Sequence, residues 1–146
     1  MSNTFHPAYF ETRFYIAKPE RELCDPAIVL SAFATTGEVW PKEKNRLADE
    51  SLKSRLDKLP HRAIIRLIGY SPMSGHGEPS WLIDCDLTTG CWIGREFHQD
   101  ALYLIEKKEL YVVSCNAPGD MAHIGRFSER LDWLDPESLR QCLDRY

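Results

Sequence analysis

The stretch Ala27–Phe33 (AIVLSAF) limits the fold more than any other part of the sequence. It is a near-continuous apolar run, so neither of its faces can be given to water. A strand of that composition is buried on both faces and belongs in the middle of a sheet. Thr35, Thr36 and Gly37 follow and are expected to break it. No apolar run in the chain approaches the roughly 20 residues that a membrane span requires, so no membrane association is expected.

Other elements arrange themselves around that strand. Phe5–Phe10 is short and aromatic and reads as one helical turn laid on the domain as a lid. Thr12–Ile16 alternates and is rich in β-formers, which predicts a first strand. Lys18–Pro26 is a polar connection. Pro41 suits the first turn of a helix, where its missing N–H costs nothing. Leu47, Leu52, Leu56 and Leu59 then recur at helical spacing, so a helix runs from Pro41 to Lys58 against the sheet and ends before Pro60.

Ala63–Tyr70 predicts a third strand, Ser71–Pro79 a loop, and Trp81–Cys85 a fourth strand. Thr88 or Thr89 can cap a shorter helix reaching His98. Ala101–Ile105 and Glu109–Cys115 read as a hairpin turning at Lys107-Lys108, and Met121–Trp133 as irregular or a weak strand. Asp135-Pro136 is a cap and first-turn proline for a last helix to Leu143. This order lacks the alternation of a doubly wound fold. It predicts an α+β domain with a single mixed, mostly antiparallel sheet of five to six strands and helices mainly on one face. Residues 1–146 are expected to form a single domain, with a core over about 9–115 and a C-terminal extension over 116–146.

Composition narrows the function classes. There are 18 Lys and Arg against 22 Asp and Glu, a formal net charge of -4. A nucleic-acid binder normally shows a basic face; here the lysines and arginines of 42–58 interleave with Glu43, Asp49, Glu50 and Asp57, which reads as a solvated, ion-paired helix face. No nucleic-acid partner is expected. Five cysteines form no CxxC pair and are odd in number, which fits free thiols in a reducing cytoplasm.

The P-loop, dinucleotide, HExxH and GxSxG signatures are absent. Gly69-Tyr70-Ser71-Pro72-Met73 begins like a nucleophile elbow but has Met73 where the second glycine is needed. No His, Cys or Glu pair has a metal-binding spacing, so neither a metal nor another cofactor is expected. Whether the chain is an enzyme is left open.

Four blocks in order, Ala27–Phe33, Asn45–Leu56, Gly77–Ile83 and Phe97–Ile105, resemble the domain-of-unknown-function family 3293, a bacterial family of small uncharacterised proteins. The likeness rests on Ser31-Ala32-Phe33 ending a strand, on Asn45, Arg46, Leu47, Ala48 and Leu52 in a helix, on Glu78-Pro79-Ser80, and on Phe97, Gln99 and Ala101. It extends over about Tyr9–Ser114. Ala34 and Thr35 stand where the family often has Asn-Pro, and Asp100 where it often has Asn. The resemblance implies no established activity.

Within those blocks Ser31, Asn45, Glu78, Ser80 and Gln99 are polar where folding alone would prefer apolar groups. One expectation is a polar site at the sheet edge that binds a small molecule or nucleotide, with Glu78 as base or ligand anchor and Asn45 and Gln99 as neutral hydrogen-bonders. The same residues also suit a buried polar network that only ties strand to helix. A different class of function is a non-catalytic interaction or regulatory module, such as an immunity or phage–host conflict factor. Trp40, Trp92 and Trp133 would then be its partly exposed anchors. A deep pocket lined by Asn45, Glu78 and Gln99 separates the first class from the second.

Overall fold

The computed structural model describes residues 5–34 and 38–146. The expected break at Thr35, Thr36 and Gly37 therefore lies outside the described residues. Eight strands form one sheet: β1 (Arg13–Ala17), β2 (Ala27–Leu30), β3 (Ile64–Tyr70), β4 (Gly77–Ile83), β5 (Ala101–Glu106), β6 (Glu109–Ser114), β7 (Met121–Arg126) and β8 (Leu131–Leu134). Their spatial order is β7-β6-β5-β2-β4-β3-β1-β8. All neighbours are antiparallel except β1 and β8, which run parallel.

The apolar run sits at the centre, as its composition requires. Every residue of β2 is buried. Ile28 and Leu30 pack towards the helices, while Ala27 and Val29 join the cluster on the other face. The helical face carries α1 (Lys42–Asp57) and α2 (Leu87–Glu96), with Leu52, Leu56, Cys91 and Ile93 buried against it. Beside β1 and β8 lies α3 (Pro136–Leu143). The opposite face is closed by a 3-10 turn over Pro7–Glu11 and by the connection before β2, through Phe5, Tyr9, Phe10, Leu23 and Cys24.

The sheet has eight strands rather than five to six. The stretch read as irregular, Met121–Trp133, supplies β7 and β8, one for each edge. Edge strands bury little, so their pattern is weak: β7 has one buried residue, Ile124, and β8 has none. A 3-10 turn over Phe127–Arg130 separates them. β2 stops at Leu30 instead of continuing to Phe33, and β4 begins at Gly77 instead of Trp81.

Local chemistry explains several boundaries. The helix at Leu87 is capped by Asp86, whose carboxylate accepts from Thr89 N at 2.8 Å, and not by Thr88 or Thr89 as expected. Asp135 caps α3 by accepting from Ser138 N at 2.9 Å, with Pro136 in the first turn. The hairpin turns at Lys107-Lys108, both at positive φ (51° and 69°). Asp25 holds that turn by accepting from both peptide N–H groups, at 2.9 and 2.8 Å. On α1, Leu47 is 51% exposed and does not join the apolar stripe; the polar face is ion-paired, Arg46 with Glu43 and Glu50 and Lys53 with Asp57.

One polar clamp locks α1 to the sheet. Asp49 accepts two bonds from the Arg66 guanidinium, at 2.8 and 2.9 Å, and a third from Trp81 Nε1 at 3.1 Å. The guanidinium also lies over the Trp81 ring, 4.1 Å from its centroid. Asp49→Ala should leave two largely buried donors without an acceptor and lower the unfolding free energy by about 3 kcal/mol. Urea denaturation measures this, with Glu43→Ala as a surface control that leaves the midpoint unmoved. Cys24, Cys85, Cys91, Cys115 and Cys142 are all free thiols. Titration in denaturant without reductant should count all of them.

Candidate functional site

The site begins where a ladder ends. β2 pairs with β4 only from Ile28 opposite Ile83 to Leu30 opposite Trp81. β4 continues to Gly77, but over that half it is paired with β3 alone. Pro79 lies in this half, opposite Ile68. A proline cannot donate to a ladder, and here it sits beyond the stretch that β2 engages.

The chain leaving β2 must have its peptide groups satisfied by other means. Ser31 Oγ accepts from Phe33 N at 3.1 Å, Gln99 Nε2 donates to Phe33 O at 2.8 Å, and Asn45 Oδ1 accepts from Ala34 N at 2.9 Å. Three of the polar residues picked out in the sequence thus bond to the peptide groups of the departing segment. Ser80 is buried, and its hydroxyl donates to Glu78 O at 3.1 Å.

The divergence of β2 from β4 leaves a cleft of about 560 Å³, within the range of small-molecule sites. Asn45, Glu78 and Ser80 line it. Gln99 does not; it is buried behind Phe33. Ser31 reaches the cleft only through its hydrogen bond to the Glu78 carboxyl. Strand alternation places Glu78 and Ser80 with Leu82 on the face away from the helices, so Asn45 on α1 approaches from the opposite side. The cleft passes through the plane of the sheet.

Aromatic side chains form most of the remaining wall: Tyr9, Phe33, Trp40, Tyr70 and Tyr103. Tyr103 donates its hydroxyl to Thr12 Oγ1 at 2.7 Å. Burial holds that phenol neutral, and the Glu78 charge adds to the effect. Tyr70 stacks on Tyr15 with centroids 4.1 Å apart, and its hydroxyl donates to Asp132. Asp132 in turn accepts two bonds from Arg13, at 2.8 and 3.0 Å. The Arg13 hydrogen bond keeps this carboxyl below the usual range, so Tyr70 is held by a fixed acceptor. Gly69 stands directly opposite Glu78 in the ladder, and the Phe14 ring and the Thr12 methyl lie against the place where its side chain would be.

Glu78 is the chemically distinct member. Its carboxyl is partly open to the cleft yet enclosed by protein, and burial pushes it up to about 7 from an ordinary 4.5, the Ser31 hydroxyl opposing the shift. A carboxyl poised near neutrality can act as acid, base or ion-pair anchor. Among the described residues no lysine or arginine lines the cleft. Among the described residues there is no group of three or more His, Cys, Asp or Glu placed to hold a metal ion.

The walls from Tyr9, Thr12, Tyr70 and Tyr103 escaped the sequence reading because they sit in segments that read as lid or strand core. The available signal was the tyrosine within Ala101–Ile105, whose hydroxyl needs a partner when buried. Trp40 was expected as a partly exposed anchor; it is partly exposed and stands in the cleft wall, with Lys44 4.1 Å above its ring.

The sequence pattern of the family described as "Protein of unknown function (DUF3293)" matches residues 30–102, half of the 146 residues and less than the Tyr9–Ser114 span expected. No curated protein and no solved structure matches the chain. The matched stretch contains Ser31, Asn45, Glu78, Ser80 and Gln99, whereas His6, Tyr9, Thr12 and Tyr103 complete the cleft from outside it.

The folded state binds the Glu78 proton more tightly than the unfolded chain does. Its contribution to stability is therefore complete below pH 4.5 and is lost as pH rises through 7. Glu78→Gln should match wild type near pH 4.5 and exceed its stability by about 1–3 kcal/mol at pH 8. Paired urea titrations across that range check it; a difference that stays flat with pH would show that burial does not perturb this carboxyl.

Proposed function

Because the chain belongs to the family of proteins of unknown function DUF3293, which brings no activity with it, we propose a function from the cleft itself: the protein binds a small organic molecule there, with Glu78 as anchor. One observation carries this reading. A carboxyl is kept at a cost in an open cleft beside Tyr103, where an apolar residue would have been buried without that cost. Asn45, Ser31 and Gln99 make the bonds of a structural network; Glu78 meets that network through the Ser31 hydroxyl and has no ion pair among the described residues. Its position supports a role towards a ligand.

The interaction-module reading has less support. Trp92 and Trp133 are 56% and 50% exposed, but they share no surface patch. Trp92 lies on α2, against β2 and β5, and Trp133 on β8 at the far edge of the sheet. Five free thiols fit a reducing bacterial cytoplasm as the setting. Among the described residues no helix is long and apolar enough to cross a membrane.

The test is an unbiased metabolite screen by thermal shift, since a ligand that binds only the native state raises the apparent stability. A true ligand should lose its effect in Ser71→Trp, which fills the cleft mouth, and keep it in Ser71→Ala. Hits indifferent to both variants, or no hit at all, would remove the binding function.

A further inference from the structure

We propose that the ligand is an organic amine, its protonated nitrogen paired with the Glu78 carboxylate and its apolar body held among the aromatic side chains of the cleft. This rests on the binding function proposed above and narrows it to one chemical class.

Charge is the first argument. The ionisable lining consists of Glu78, Glu38 at the rim, His6 and His76, both exposed, and the tyrosines. The neighbouring cations are committed elsewhere. Lys42 Nζ donates to Asp144 O at 2.8 Å, and Lys44 lies over Trp40. Arg13 is bound by Asp132, and Arg130 is spent on the carbonyls of Phe10, Thr12 and Ile124. A phosphate or carboxylate ligand would meet the Glu78 carboxyl, with no lysine or arginine among the described lining residues to offset it. This also turns the reading away from nucleotides.

The second argument is the wall. Tyr9, Phe33, Tyr70 and Tyr103 line the space, and aromatic rings attract cations, most strongly where water is excluded; Trp40 also lines it, with Lys44 already over its ring. Tyr70 and Tyr103 are fixed by the hydroxyl bonds to Asp132 and Thr12. Burial holds both phenols neutral, so they add no charge to the wall.

The third argument is the state of the carboxyl. An empty cleft leaves Glu78 shared between protonated and ionised forms near neutral pH. A neutral ligand gains little from ionising it, and an anion opposes ionisation. An ammonium gains an ion pair, and the carboxyl proton is released to solvent: R–NH₃⁺ + Glu78–COOH gives R–NH₃⁺···⁻OOC–Glu78 + H⁺.

The experiment compares three probes of one shape, 2-phenylethylamine, 2-phenylethanol and 3-phenylpropanoate, by calorimetry on the full chain from pH 6 to pH 8. The amine should bind most tightly. Its affinity should rise about tenfold over that range as Glu78 ionises, with proton release seen as a dependence on buffer enthalpy. Glu78→Gln should abolish both the slope and the preference for the amine. Should that variant fail to fold, His6→Ala/His76→Ala decides instead, because the slope must survive loss of the histidines. The amine class is overturned if the alcohol or the propanoate binds at least as well, if none of the three binds, or if the slope follows the histidines. The unbiased screen decides separately whether the cleft binds small molecules at all, so the class can fail while the binding function stands.

Discussion

The β2–β4 ladder stops after Leu30, and the organisation of the cleft depends on that stop. A central strand that leaves its neighbour in mid-sheet exposes peptide groups on both sides of the gap. Buried peptide groups demand partners. Asn45 from α1, Gln99 from the segment after α2 and the hydroxyl of Ser31 supply them for the departing chain. With these side chains in place, the gap between β2 and β4 can persist as a cleft instead of collapsing into a continuous sheet. Pro79, which has no N–H to offer, sits where the ladder has already ended.

The sheet around the gap is held from both faces. On the helical side, Asp49 joins Arg66 and Trp81 so that β3 and β4 cannot shift against α1. On the other side, Phe14 packs edge-on against Tyr103 at 5.3 Å and against Phe127 at 5.9 Å, tying both halves of the sheet together beneath the cleft. Such a frame keeps Tyr70, Tyr103 and Glu78 in fixed relation, as a recognition site requires.

Much of this was legible in the residues. The run Ala27–Phe33 correctly demanded a central strand, although its last residues follow side-chain partners that a periodicity cannot reveal. The Asp135-Pro136 helix start and the Lys107-Lys108 turn were readable because each rests on local chemistry. The edge strands were not, since β7 and β8 bury too little to impose a pattern. Glu78 drew notice as a carboxylate leading into an apolar segment, yet it was assigned to a loop because Gly, His and Pro around it are turn formers. Its place in β4 is set by pairing with β3, a tertiary fact. Asn45 and Gln99 were recognised as polar residues with a purpose, and the structure separates them: one lines the cleft, the other only supports it.

The parallel pairing of β1 with β8 has a consequence for synthesis. Arg13 and Asp132 meet across 119 residues of chain, so the flank of β1 that pairs with β8 stays bare until those residues have been made. Vectorial emergence from a ribosome therefore yields a nascent sheet with an open side, able to add a foreign strand. The Arg13–Asp132 pair forms only once β8 is in place. Tyr70 receives its acceptor only at that moment, so the aromatic wall of the cleft is completed last, when the final strand docks.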